Sequence, residues 1–300
     1  MQPDRRDGAG AGRVDRALDR AAPGRFLSYT EPSWDASERA GLSAEAGGRD
    51  REREEGRARA ALKVLKTLGL FLRENLTTGP LVKVDDPRFD PDVGRLRPRQ
   101  DLPVSIHVSD PEAFFLPIDR FNERLRRARA PSGLVVPRPA TSRATPRAPG
   151  RARPRCSRGI RRRAVHRSIV GHDAENLGFV SETLDRFPNT TVELGARIGE
   201  LGRQPRASRK FFEKYQDRIL FGTDAVPPPD GDNVPAAGLQ GRAATRSTIR
   251  FLETEDEYFD YAPAAIPPQG RWRIYGVGLP ESILKKVYHD NAARVLGLPS

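Results

Sequence analysis

The sequence predicts an α/β protein of successive parallel βα units, in the manner of a (β/α)8 barrel. Three observations carry this expectation. Stretches at 62–70, 102–108, 191–198 and 218–224 read as strands, with helical patterns between the later ones. Those strands end in polar residues, Lys66, His107, Arg197 and Asp224, and a barrel keeps its functional groups at the C-terminal ends of its strands. A length of 300 residues gives room for one such barrel or for two ordinary domains.

Each element has its own justification. The run LKVLKTLGL at 62–70 is mostly apolar and is closed by a Gly, as a buried strand leading into a helix or loop would be. Asp86, Pro87, Asp90 and Pro91 make a turn-rich entry to the stretch ending at Gln100. In LPVSIHV, Leu102, Val104, Ile106 and Val108 share one face, while Ser105 and His107 share the other. Asp173 can cap a helix whose apolar positions are Leu177, Val180, Leu184 and Phe187. TVELGARI alternates again, setting Val192, Leu194, Ala196 and Ile198 against Glu193, Gly195 and Arg197. A helix around 208–215 leads to RILFGTD, a strand that ends in Asp224 and is stopped by Pro227, Pro228 and Pro229. The last helix is the clearest: Pro280 starts it, Ile283, Leu284, Val287, Tyr288, Val295 and Leu296 make its stripe, and Gly297 ends it.

Charge is distributed unevenly. The chain carries a formal +12 with 37% hydrophobic and 31% charged residues, a balance that suggests a polyanion binder or a partly disordered chain. Residues 124–168 hold 15 Arg and no Lys, Asp or Glu, so this stretch contributes +15 and the rest of the chain is left at −3. Cys156, the single cysteine, lies in the same stretch and excludes an internal disulfide framework. No apolar run approaches transmembrane length, and the first residues have no apolar core of a secretory signal. A soluble, cytoplasmic protein is the expectation, with no membrane partner.

Residues 125–170 show neither a helical nor a strand period and are dominated by Pro, Ala, Arg, Gly and Ser. One reading is a disordered basic arm that binds nucleic acid through phosphate contacts. The other is out-of-frame translation of a GC-rich gene, consistent with 45 Arg against 7 Lys in the chain. The second is favoured. The stretch lacks aromatics for base stacking, and a helix and a strand are missing where a barrel needs them. Shorter lapses of the same kind occur near 36–60, 93–100 and 236–247.

The segments LPVSIHVSDPEAFF at 102–115 and RILFGTDAVPPP at 218–229 resemble the amidohydrolase family 2 branch of the metal-dependent amidohydrolases. ALKVLKTLGLFLREN at 61–75, ARIGELGRQPR at 196–206 and GLPESILKKVYHDNAARVLGL at 278–298 extend the likeness, with a weaker trace at 23–34. It covers 61–124, 171–233 and 249–298 of a single barrel-like unit, with 125–170 as an irregular basic insert. The resemblance implies a distorted TIM barrel with divalent metal, commonly zinc, at the C-terminal mouth, acting on a small molecule. The implied chemistry is metal-assisted hydrolysis, with a decarboxylase of the same superfamily as the alternative and nucleic-acid binding through 124–167 as a third reading.

The family's ligand pattern is a His-x-His on the first strand, a His each on strands five and six, and an Asp on strand eight. His107 matches strand five and Asp224 strand eight, where the Asp accepts the proton of metal-bound water. No His-x-His occurs, so the first strands are expected to be lacking. The strand-six position falls near Ser168, with no His, and leaves His172 as a substitute ligand. Val165, His166, Arg167 and Ser168 can be encoded so that a one-base shift reads Phe-Ile-Gly-Ala, the strand the family would have there. Lys63, Lys66 and Arg197 are the candidate substrate contacts. A catalytic zinc usually takes three protein ligands and a water, so the expectation is weak metal binding and little turnover. Self-association into a homo-oligomer is left open.

Overall fold

Short runs of alternating or β-branched residues give strands, and those of the main sheet pair in parallel in chain order. The computed structural model describes residues 20, 22–23, 25–27, 29–30, 61–64, 73–75, 78–81, 103–107, 113, 116–123, 165–167, 174–224, 234–262, 267 and 270–298. The strands are β1 (Tyr29–Thr30), β2 (Ala61–Val64), β5 (Val104–Ile106), β6 (Val165–Arg167), β7 (Thr190–Glu193) and β8 (Ile219–Leu220). They form a six-stranded sheet in the order β1-β2-β5-β6-β7-β8, all parallel. Between β2 and β5, β3 (Arg73–Asn75) and β4 (Thr78–Leu81) make a separate antiparallel hairpin.

Sheet order decides between architectures. A doubly wound sheet reverses its strand order at a switch point, whereas here every new strand is added on the same side. With crossovers of one hand, that order sends all the helices to one face and leaves the other for an interior. The described residues agree. Val192, Leu194 and Ile219 sit in one buried core with α1 (Leu177–Arg186) and α3 (Pro205–Lys214), through Leu177, Val180, Leu184, Phe211 and Phe212.

Local sequence accounts for the helices. In α1 the apolar positions fall as expected, but the N-cap is Asn176, whose side chain accepts from the Phe179 N–H at 3.2 Å. Asp173, the expected cap, lies outside the described residues. Helix α3 starts with Pro205 at its first position and ends with Lys214, which suits the negative end of the dipole. Arg218 ties these parts together: its guanidinium donates to the carbonyls of Thr190 (2.6 Å), Phe187 (2.6 Å) and Leu184 (3.2 Å). Those are the carbonyls where α1 ends and β7 begins.

Two expectations are corrected. The alternation at 191–198 does not run on as a strand; β7 stops at Glu193, and Ile198–Leu201 form the short helix α2. The chain turns at Gly195 and Ala196, the latter left-handed at φ 55°. The expected lapse at 236–247 lies within α4 (Val234–Glu253), a 20-residue helix. Its Ala and Arg content suits a helix. Phe251 and Leu252 near its end are fully buried in the core.

The terminal helix contains a wide turn. α5 (Glu281–Lys285) passes through a π-helical turn (Lys286–Asp290) into α6 (Asn291–Leu296), and Gly297 ends it at φ 66°. The Asn291 N–H goes to Lys286 O, and the Val287 carbonyl accepts from the Phe221 N–H just past β8 at 2.9 Å. Asn291 is 2% exposed and donates to the carbonyls of Ile219 (2.9 Å) and Gln216 (2.7 Å). The helix is thereby hydrogen-bonded directly to β8.

Replacing Asn291 with Ala removes the donor from one buried carbonyl, that of Ile219, and from the part-buried one of Gln216. The expected cost is about 2 kcal/mol of unfolding free energy, read from urea melts of the Asn291→Ala chain beside the parent. A change within error would show that the amide does not hold the helix to β8.

Burial and the bond to the Glu253 carboxylate hold the Tyr288 phenol well above its ordinary range; its hydroxyl donates to Glu253 Oε1 at 2.9 Å. The folded chain therefore keeps this proton after the unfolded chain has lost it, and stability falls as pH rises through about 10. Melts at pH 9 and pH 11 should show this loss, and Tyr288→Phe should lessen it.

Candidate functional site

Parallel register sets which residues are level across the sheet. Lys63 is opposite Ser105, Ser105 opposite His166, and His166 opposite Thr191. One row up, Val64 is opposite Ile106, and Arg167 opposite Val192. Successive residues of a strand alternate between faces, so polar and apolar rows are separated. The row with Val192 belongs to the helix-covered side, and the row with Lys63 and Ser105 to the interior.

A half-open cavity of about 260 Å³ is lined on its polar side by Tyr29, Lys63, Ser105 and Glu193. Leu220, Phe221, Ala292, Val295 and Leu296 form its apolar wall. β1 and β8 are the first and last strands of the sheet, five spacings apart. On a flat sheet they would stand roughly 24 Å from each other, too far to share so small a space. The sheet is therefore curled, with both edges brought to one cavity and α6 laid along the wall.

Each polar group is held. Lys63 Nζ donates to Ser105 Oγ at 3.2 Å. Ser105 is fully buried, and Lys63 is half-buried. Glu193 ends β7 and folds back, so that its Oε1 accepts the Gly195 N–H at 2.7 Å. Its carboxylate also lies against the backbone of Gly222, where a Cβ would collide with it. Burial, and secondarily the Glu193 charge, push the Tyr29 phenol upward, so it stays a neutral donor in the ordinary pH range. That coupling spans the interior from the first strand to β7.

The expected site residues fall unevenly. Lys63 lines the cavity. His107 is half-buried and directly follows β5, while Asp224 is exposed four residues beyond β8, with a left-handed φ of 55°. Neither is among the cavity-lining residues. Arg197 is buried and donates to Glu200 of α2 at 3.2 Å, their side chains 11% and 1% exposed. Lys66 and His172 lie outside the described residues. Tyr29 is a cavity residue that the sequence does not single out for binding, while Glu193, which lines the cavity too, shares a face with Arg197 in the sequence and reads as a substrate-orienting residue or an ion-pair partner. Glu193 is visible on the polar face of TVELGARI; Tyr29 stands in the weak trace at 23–34 and carries no signal of its own.

His166 is a further difference. It falls in the basic stretch, where the sequence assigns it no role, yet it occupies the register position between Ser105 and Thr191 in the interior row.

Among the described residues, no group of three or more His, Cys, Asp or Glu is placed to hold a metal ion. The described donors therefore do not fit a divalent metal of the kind the fold implies, which needs three protein ligands in a catalytic zinc site.

A curled parallel sheet in sequential strand order, with a polar interior running to the strands' C-terminal ends, is that of a barrel-type α/β protein. The chain belongs to the amidohydrolase family, whose model matches residues 35–298. Metal-dependent, hydrolase-type chemistry on small molecules follows at the level of the family. No curated protein and no solved structure matches the chain. No helix among the described residues is long and apolar enough to cross a membrane.

The contact of Glu193 with Gly222 makes a two-step test. Gly222→Ala should displace the carboxylate and lower stability by about 1–3 kcal/mol. Glu193→Ala in the same chain should restore most of it, because the space is then empty. Absence of that rescue in denaturant melts would show that the two positions are not in contact.

Proposed function

We propose that this chain is a hydrolase-type amidohydrolase whose substrate is a small molecule held in the strand-lined cavity. We propose further that it binds divalent metal weakly and turns over little. The observation that supports this is the cavity itself, polar along the strands and apolar along α6, beside a described donor set too sparse for a metal. Lys63 is the substrate contact that the geometry favours, through its ammonium beside Ser105. His107, Asp224 and His172 are the candidate metal donors, and zinc is the first ion to test. Asp224 is the candidate proton acceptor. Lys66 is kept as a second substrate contact. Arg197 acts, on this reading, by shaping the loop after β7 through Glu200.

The same reading assigns the missing strand-six histidine to a stretch of shifted reading frame within 125–170. Here the gene is the test. An alternative frame encoding Phe-Ile-Gly-Ala at 165–168, with a His close behind, is expected; a gene without one overturns the frame shift.

Elemental analysis of the full chain, purified with zinc supplied, should find well under one ion per molecule. Turnover of amides, esters and lactones should be low, rise with added zinc, and fall to background in His107→Ala and Asp224→Asn. Stoichiometric, tightly held zinc with metal-dependent turnover would overturn the proposal. Release of carbon dioxide from a carboxylate substrate, in place of hydrolysis, would move the chain to the decarboxylases.

A further inference from the structure

Asp224 stands beyond the regular part of its strand. β8 ends at Leu220, whose carbonyl accepts from the Leu194 N–H at 3.2 Å, and the Phe221 N–H goes to Val287. Among the described residues, no backbone–backbone hydrogen bond is made by 222–224. Asp224 nevertheless has a left-handed backbone, at φ 55°, which a non-glycine residue keeps where its surroundings impose it. Those surroundings are the end of β7. A Cβ at Gly195 would stand 3.2 Å from both the nitrogen and the Cβ of Asp224, and 2.7 Å from Glu193 Oε1. The same Oε1 accepts the Gly195 N–H at 2.7 Å. The Glu193 carboxyl group also rests on Gly222, where a Cβ would collide with its Oε1 and Cδ. One side chain thus touches the segment directly at 222 and, through Gly195, at 224.

We propose that Glu193 is a positioning residue for Asp224. Its carboxyl group, wedged between Gly195 and Gly222, sets where the Asp224 carboxylate stands past the end of β8. This task needs an acceptor oxygen and the length of a Glu side chain; it does not need a charge. Glutamine supplies both. Aspartate can still accept the Gly195 N–H two residues on, but it ends one methylene short of the seat on Gly222. Alanine does neither. The two glycines are part of the device, since each admits the carboxyl group or the Asp224 backbone at a distance that a Cβ would prevent. The inference rests on Asp224 being the proton acceptor proposed above, and adds the residue that aims it.

The test begins with NMR of the full chain carrying isotope-labelled aspartate, the Asp224 signal being identified by its loss in Asp224→Asn. Glu193→Gln should leave that signal near its parent position. Glu193→Ala, Glu193→Asp and Gly195→Ala should each move it. Turnover is then measured with zinc supplied, on the best substrate among the amides, esters and lactones. In Glu193→Ala, kcat should fall about tenfold or more with KM within about twofold, while Glu193→Gln stays within about threefold of the parent. Urea melts verify folding, and Glu193→Asp takes the place of Glu193→Ala if the latter does not fold. An Asp224 signal that stays in place in Glu193→Ala, or moves as far in Glu193→Gln, overturns the inference. So does unchanged kcat in a Glu193→Ala chain whose Asp224 signal has moved. No turnover in the parent, or full turnover in Asp224→Asn, overturns the functional reading instead; the Asp224 signal then decides the positioning by itself.

Discussion

Register between very short strands is the constraint on which the rest of this molecule depends. No described strand of the main sheet exceeds four residues, so each contributes one or two side chains to either face. A slip of one residue exchanges the faces completely. With Lys63, Ser105, His166 and Thr191 level, the neighbouring apolar row, with Val104, Ile106 and Val192, is turned to the other side. Packing of Val192 and Ile219 against α1 and α3 then fixes the interior indirectly, since the apolar row cannot be given up without losing the core. The cavity is polar because its opposite side is not.

Curling the sheet leaves the region between its first and last strands to be covered, and the terminal helix does this by departing from α-geometry. In a regular helix the Val287 carbonyl would accept from Asn291. The wide turn passes that N–H to Lys286 and leaves the Val287 carbonyl to the Phe221 N–H. π-Turns of this kind are often found at functional positions. Here the turn allows one helix to bind β8 through its backbone and through the Asn291 amide while presenting Ala292, Val295 and Leu296 to the cavity. Removing the turn would force a choice between those two tasks.

Much of this is legible where periodicity is strong. Leu177, Val180 and Leu184 read as one helix face, and all are buried in the core. Pro280 and Gly297 mark the ends of the terminal helix correctly, because proline and glycine act locally. His107 reads as the polar end of a strand for the same reason. Periodicity cannot show where a strand stops. The alternation in TVELGARI continues past Glu193, and only the left-handed turn at Ala196 ends it. Tyr29 and Glu193 are far apart in sequence and meet only because the sheet curls, which no local pattern encodes. The helix at Val234–Glu253 is obscured because low complexity reads as absence of structure, although alanine and arginine favour helices.

The basic stretch presents a sharper conflict than its charge alone suggests. β6 lies in it and is central to the sheet, with β5 on one side and β7 on the other. A parallel ladder requires a backbone in extended form and is indifferent to composition, so Val165–Arg167 can fill the gap. But the register sets position 167 level with Val192, a residue 1% exposed in the apolar core row, and sets position 166 in the polar row. The shifted reading would place phenylalanine and glycine at the positions of that row and isoleucine at the interior one. It would also take the histidine at 166 from the interior row and require one just beyond the strand instead. The two frames thus differ in more than net charge: each assigns the strand's single interior position to a different chemistry, and the strand cannot be omitted under either.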